Sequence, residues 1–380
     1  MIDRRKRFSV VAVAVALTLA GCTTAADEPA DTTAAAGGDA GDTTETTAAP
    51  APSGGSLLAD VQSRGELRCG VNDAVPGFGF VDADGNFSGF DIDYCRAVAA
   101  AVLGDADAVE YIPLTAQQRF TALQSGEIDV LIRNTTWTSS RDGGEGATFL
   151  TTTFYDGQGM MVRTDAGVSD IEGLADSAIC VLSGTTTELN LSNRMGGIAY
   201  EPLTFEDNET LQSAFLAGQC DGWTSDKSQL AAVRSNFPEG EGGPEALTIL
   251  DETFSKEPLG PVVADGDSQW AQVVDWVVIG TILAEELGID SGNVTSFGDT
   301  ENAEIRRLLG LEITDADGNT TIFDAGLGLD PGWASNVISV VGNYGEIYAR
   351  NVGPDTPLGL ERGVNALWTD GGLMYGPPYR

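Results

Sequence analysis

The chain contains no histidine, so nucleophilic or acid–base chemistry would have to run on carboxylates, with no imidazole to activate a thiol or hydroxyl. Three positions have residue types suited to binding instead. Arg141 stands beside Asp142 and Glu145, a setting that fits a surface ion pair or a cation offered to a ligand carboxylate, whose two oxygens a planar guanidinium meets at once. Thr185 and Glu188 have the spacing of a capping box, so a helix opens at Thr186 with backbone N–H groups that have no partner inside the helix and favour an anion. A well-capped helix with no ligand reads identically. Asp226 precedes Lys227, which suits either a surface salt bridge or a carboxylate waiting for an ammonium. A cation and an anion placed together in a cleft that excludes water are what a free amino acid requires.

Other chemistries are excluded or set aside. The turns Asp82-Ala83-Asp84-Gly85-Asn86 and Asp315-Ala316-Asp317-Gly318-Asn319 have alternating carboxylates, but neither has the glycine at the sixth loop position nor the closing Glu of a calcium loop. They read as plain hairpin turns, and no metal or cofactor is expected. The formal net charge is −37, with no basic patch to neutralise phosphates, so nucleic-acid binding is excluded.

The elements that must position these residues follow from hydrophobic periodicity. Residues 65–71 read as a strand, 91–103 as an amphipathic helix, 109–113 as a strand, 117–125 as a helix stopped by Gly126, and 128–132 as an apolar strand. This β-α-β-α-β run implies a parallel sheet covered by helices, with ligand at the carboxyl ends of its strands. A second run follows: strand 179–182, helix 186–194, helix 210–217 before Gly218, and strand 222–224 leading to Asp226. Residues 260–264 then return to a long apolar helix over 268–287.

The N-terminus carries an address. Four basic residues, Arg4 to Arg7, precede an apolar stretch over 10–19 that is too short to cross a bilayer, so 1–21 reads as a secretory signal. It ends in Leu19-Ala20-Gly21-Cys22, which resembles the bacterial lipobox, with Cys22 as the lipidated mature terminus. Residues 23–56 hold no Lys, no Arg and no aliphatic side chain larger than Ala, so 22–56 is the lipidated Cys followed by a disordered acidic tether. Removing the signal takes the charge to −40. Four cysteines remain in an oxidising compartment: Cys69, Cys95, Cys180 and Cys220. Three pairings are possible. Nearest-neighbour pairing, Cys69 with Cys95 and Cys180 with Cys220, would staple each strand–helix region separately, and buried free thiols are the alternative.

Several motifs in order carry a family resemblance. Gly89-Phe90-Asp91-Ile92-Asp93-Tyr94 looks like the signature of the family 3 extracellular solute-binding proteins, with Tyr94 where that signature prefers an aliphatic residue. Arg133-Asn134-Thr135-Thr136-Trp137-Thr138, Tyr155-Asp156-Gly157-Gln158-Gly159, Ser183-Gly184-Thr185-Thr186-Thr187-Glu188, Glu257-Pro258-Leu259-Gly260-Pro261 and Gly342-Asn343-Tyr344-Gly345 resemble the branch that binds general L-amino acids for ABC importers. The resemblance implies an α/β fold of two lobes, each with a parallel-rich sheet, joined by two hinge strands and closing on the ligand. Lobe 1 would be 57–158 with 260–380 and lobe 2 would be 159–259, with crossings near Gly159 to Val162 and Leu259 to Pro261. It assigns the ligand carboxylate to Arg141, Thr136 and Thr186, the ammonium to Asp226 with the backbone carbonyl of Asn134, and an aromatic wall to Phe78, with Phe80 beside it. It implies a monomeric lipoprotein on the outer face of the cytoplasmic membrane, with permease subunits as partners and no catalysis. A sensory receptor, or a dehydratase-like enzyme using Asp226 or Glu188, would be the competing readings.

Overall fold

The computed structural model describes residues 56–380, apart from Ala316; the signal, Cys22 and all but the last residue of the tether lie outside the described residues. The described residues belong to one compact unit.

Two five-stranded sheets organise it. In lobe 1 the order is Val109–Pro113, Leu67–Val71, Val130–Leu131, Val262–Ala264 and Ala147–Phe149. The first three strands run parallel, and Val262–Ala264 is antiparallel to both its neighbours. Lobe 2 repeats the plan with Tyr200–Phe205, Ser177–Leu182 and Gly222–Asp226 parallel, followed by Gln158–Arg163 and Leu247–Ile249 in antiparallel register. Parallel neighbours need crossover helices, and the sequence supplies them as Phe90–Leu103 and Arg119–Ser125 in lobe 1, and Thr186–Arg194 and Asn208–Leu216 in lobe 2. The expected elements all form, within one or two residues of the predicted bounds.

Only short segments join the lobes. Phe154–Asp156 and Glu257–Leu259 pair antiparallel, Glu257 opposite Asp156 and Leu259 opposite Phe154. This places the first crossing a few residues earlier than the sequence suggested. Gly159 to Val162 belongs to the buried interior of the second sheet, paired with Gly222–Asp226 on one side and Leu247–Ile249 on the other.

The larger core lies in lobe 1, between the sheet, the helix Phe90–Leu103, the long helix Ser268–Glu286 and the helices Trp333–Val340 and Tyr344–Asn351. Helix Phe90–Leu103 starts at Gly89, whose φ of 131° and carbonyl neighbour explain the glycine: a Cβ there would meet the Phe78 carbonyl oxygen at 2.1 Å. In the tail, Asn343 and Glu346 form a reciprocal capping box, and the Tyr344 hydroxyl donates to the Thr153 carbonyl at 2.9 Å. Disulfides join Cys69 to Cys95 and Cys180 to Cys220, tying a central strand of each sheet to a helix of lobe 1 and to the loop after Asn208–Leu216 in lobe 2. Asp82 and Asp315 each accept backbone N–H groups of their own turn, at 2.8 and 2.9 Å, which accounts for both carboxylates as turn residues. No helix among the described residues is long and apolar enough to cross a membrane.

Candidate functional site

A cavity of about 350 Å³, counting the part open to solvent, lies between the two sheets. Lobe 1 contributes Asn72, Arg119, Arg133, Asn134, Thr136 and Arg141, and lobe 2 contributes the helix start at Thr185 to Thr187 together with Asn208, Ser225, Asp226 and Gln229. Five of the six ligand-facing residues expected from sequence therefore meet in one place. Phe78 does not. It is fully buried in the lobe 1 core, with its ring 5.1 Å from Phe154 and 6.0 Å from Phe90, because the turn after the first strand folds inward under helix Phe90–Leu103. Phe80 is 36% exposed and also absent from the lining.

Arg141 sits on a short helix, Ser139–Gly144, capped by the Thr138 hydroxyl. One guanidinium nitrogen donates to the Thr136 carbonyl at 3.0 Å and the other reaches the Gly184 carbonyl at 3.5 Å. It makes no ion pair with Asp142 or Glu145, and burial lowers its pKa. The fork is thus held by neutral oxygens and keeps its charge for another partner.

Across the cleft, Thr185 caps the helix Thr186–Arg194 by accepting from the Glu188 N–H at 3.1 Å. The reciprocal bond expected of a capping box is displaced by one residue: the Glu188 carboxylate accepts from Gly184 N–H at 2.9 Å. The Thr186 hydroxyl donates to Glu257 at 2.8 Å and lies 3.4 Å from the Thr136 hydroxyl of the opposite lobe.

Asp226 ends the central strand of lobe 2 and is buried. Lys227 turns away from it to the Asp251 carbonyl at 2.8 Å, so the surface salt bridge is absent. Burial pushes the Asp226 carboxyl well above its ordinary range, and the neighbouring charges of Asp156 and Glu257 push it further, while the Asn134 side-chain amide pulls it back. Asn134 itself is in the left-handed region, φ 32°, with its N–H donated to Asp91 at 2.7 Å.

Sequence reasoning missed Asp156 and Glu257, the carboxylates behind Asp226. The Glu257 carboxylate is buried on the second connecting strand and accepts from Thr186, Asn190 and Ser255. It also missed Asn72, Arg119, Asn208, Ser225 and Gln229, which reach the cavity only through the chain's tertiary path. Ser225, Gln229 and Asn208 form one chain of side-chain hydrogen bonds, 3.1 and 2.7 Å long, beneath Asp226.

Residues 67–288 match the bacterial extracellular solute-binding proteins, family 3. The chain belongs to that family. Among its relatives are the general L-amino acid-binding periplasmic protein AapJ of Rhizobium johnstonii, 48% identical over 86% of this chain and 93% of that one, and the glutamate/glutamine/aspartate/asparagine-binding protein BztA of Rhodobacter capsulatus, 47% identical over 86% and 94%. A solved ABC-transporter periplasmic binding protein from Brucella ovis, with glutathione bound, is 45% identical and superposes with a TM-score of 0.80 over 86% of this chain and 99% of that one. These family 3 relatives are binding proteins. The two-lobed α/β fold is the one they share.

Proposed function

We propose that this protein is the lipid-anchored, substrate-binding component of an ABC importer and that it captures L-amino acids, with broad specificity, in the cleft between its lobes. The observation that carries the reading is the juxtaposition of Arg141 from one lobe and Asp226 from the other on one buried cavity. Arg141 receives the ligand carboxylate, with the Thr136 hydroxyl and the first N–H groups of helix Thr186–Arg194 beside it. Asp226 receives the ammonium. The Thr186 hydroxyl, committed to Glu257 as donor, still accepts, which leaves the helix N–H group rather than the hydroxyl as the lobe 2 donor at this point. The names of AapJ and BztA, and the ligand of the Brucella ovis structure, support a ligand with an α-amino acid group. Cys22 supplies the anchor, the permease subunits accept the ligand, and the protein acts as a monomer.

Thermal unfolding of the ligand-stripped protein tests this. L-Amino acids at 100 times their dissociation constant should add about 2.7 kcal/mol of stability and raise Tm, whereas amines and keto acids should not. Arg141→Ala and Asp226→Ala should each weaken binding at least 100-fold, since either change leaves a buried charge of the ligand unpaired. A Tm response to amines or keto acids alone would overturn the assignment.

A further inference from the structure

The first connection between the lobes is a single strand, Phe154–Asp156, whose backbone has two edges to satisfy. One edge pairs with Glu257–Leu259. In that register Tyr155 stands opposite Pro258, which has no N–H and whose carbonyl turns away to accept from the Trp137 N–H at 2.8 Å. The Tyr155 N–H and C=O therefore point to the other edge. Asn365 meets both: its Oδ1 accepts from the Tyr155 N–H at 2.7 Å, and its Nδ2 donates to the Tyr155 carbonyl at 3.0 Å. One buried side chain takes the place of a neighbouring strand.

Asn365 is itself held. The Nε of Arg362 donates to the Asn365 carbonyl at 2.9 Å, and the rest of that guanidinium forks onto Glu285 of the long lobe 1 helix at 3.0 and 3.2 Å. The same guanidinium lies 4.9 and 5.0 Å from the ring centres of Tyr344 and Tyr348. Tyr348 stacks on Phe154 at 5.9 Å, and the Tyr344 hydroxyl donates to the Thr153 carbonyl. Residues 153–155 are thus gripped at three successive positions by a C-terminal segment that lies beyond residues 67–288, the stretch the family model matches. The grip of lobe 2 begins at the next residue. The Asp156 carboxylate accepts from the Ser228 N–H at 3.2 Å, and Gln158 opens the lobe 2 strand Gln158–Arg163. We propose that Asn365 is a positioning residue for closure: it makes Tyr155 part of lobe 1 and confines the pivot of the first connection to Asp156 and Gly157. A short pivot limits the orientations open to the empty cleft, so less freedom is lost when a ligand closes it. The inference rests on the reading that an amino acid closes the lobes, and it names what directs that motion.

Spin labels at Glu127→Cys on lobe 1 and Glu201→Cys on lobe 2, both exposed positions, report the spread of interlobe distances by pulsed electron resonance. With Asn365→Ala added, the ligand-free spread should broaden while the spread with saturating L-glutamine stays that of wild type. Affinity for L-glutamine should fall about tenfold, the freedom of roughly one backbone residue. An unchanged ligand-free spread overturns the proposal. Equal broadening with and without ligand does so too, since Asn365 would then only hold lobe 1 together. Hydrogen exchange in the wild-type protein decides the matter even if the variant fails to fold: the Tyr155 amide should be equally protected with and without ligand, and protection that appears only on binding would show that the strand is not braced in the open protein. Should no L-amino acid close the cleft, the amino-acid reading falls, and the ligand-free spreads still decide the brace.

Discussion

Asp226 is a carboxylate in surroundings that favour its protonated form. Burial raises its pKa, Asp156 and Glu257 add repulsion, and Asp156 is itself pushed up to about 6 by burial. An ammonium seated against Asp226 reverses the balance, because a positive neighbour favours the ionised form. Ligand binding should therefore release protons. Titration of an L-amino acid near pH 7, in buffers of different ionisation enthalpy, should give an apparent enthalpy that varies with the buffer and corresponds to release of up to one proton. Affinity should fall as the pH is lowered. A buffer-independent enthalpy would mean that Asp226 is already ionised in the empty cleft. The sign for the ligand-free protein is opposite: a carboxyl whose pKa is raised on folding stabilises the fold at low pH, and for Asp156 that contribution is lost as pH rises from about 4 through 6. Arg141 and Asp226 were legible in the sequence as a cation and an anion, and the family motif gave them roles. Arg119 was not, because its neighbours in sequence, Gln118 and Phe120, describe only a helix start, and its place in the cleft beside Arg133 and Arg141 comes from the tertiary fold.

Each lobe depends on a sheet whose strands belong to distant parts of the chain, and a disulfide fastens the centre of each. Cys180–Cys220 closes a loop with a sequence separation of 40, and Cys69–Cys95 one of 26. By loop-closure entropy these correspond to about 4 and 3.5 kcal/mol respectively. Replacing Cys180 and Cys220 together by Ser should thus destabilise lobe 2 by about 3–4 kcal/mol in chemical denaturation, and replacing Cys69 with Cys95 should act on lobe 1. Separate transitions would mark the two sheets as separate cooperative units; a single shared transition would show that the connecting strands couple them. The elements themselves were readable because alternation, glycine stops and apolar runs are local signals. The exact crossing was not. Only Gly157 separates Phe154–Asp156 from Gln158–Arg163, and only their pairing partners, Glu257–Leu259 for the first and Gly222–Asp226 for the second, divide the run between connection and sheet. Phe78 failed for a related reason, since an aromatic residue after a strand reads the same whether it lines a cleft or fills a core.

At the scale of the whole molecule, the halves of the binding clamp lie on different lobes, so a ligand that touches both adds its binding energy to the closed arrangement and to no other. The protein's own contacts across the cleft include several polar ones. Thr136 and Thr186 hydroxyls stand 3.4 Å apart, Arg141 reaches the Gly184 carbonyl, and the Gln117 amide donates to the Ser183 hydroxyl at 2.8 Å on the rim. Gly184 has φ 72°, and a side chain there would meet Gln117 at 2.8 Å, so the lobes approach each other closely at this point. The Gln117 contact lies on the rim, where it would have to break before a closed cleft reopens. Gln117→Ala removes one exposed hydrogen bond worth about 1 kcal/mol and touches no ligand group. Stopped-flow fluorescence should show dissociation about fivefold faster with association almost unchanged, because the encounter occurs with the open cleft, before the rim forms. If association slowed instead while dissociation stayed constant, Gln117 would be acting on the approach of the ligand, and the rim would have no part in holding the lobes shut.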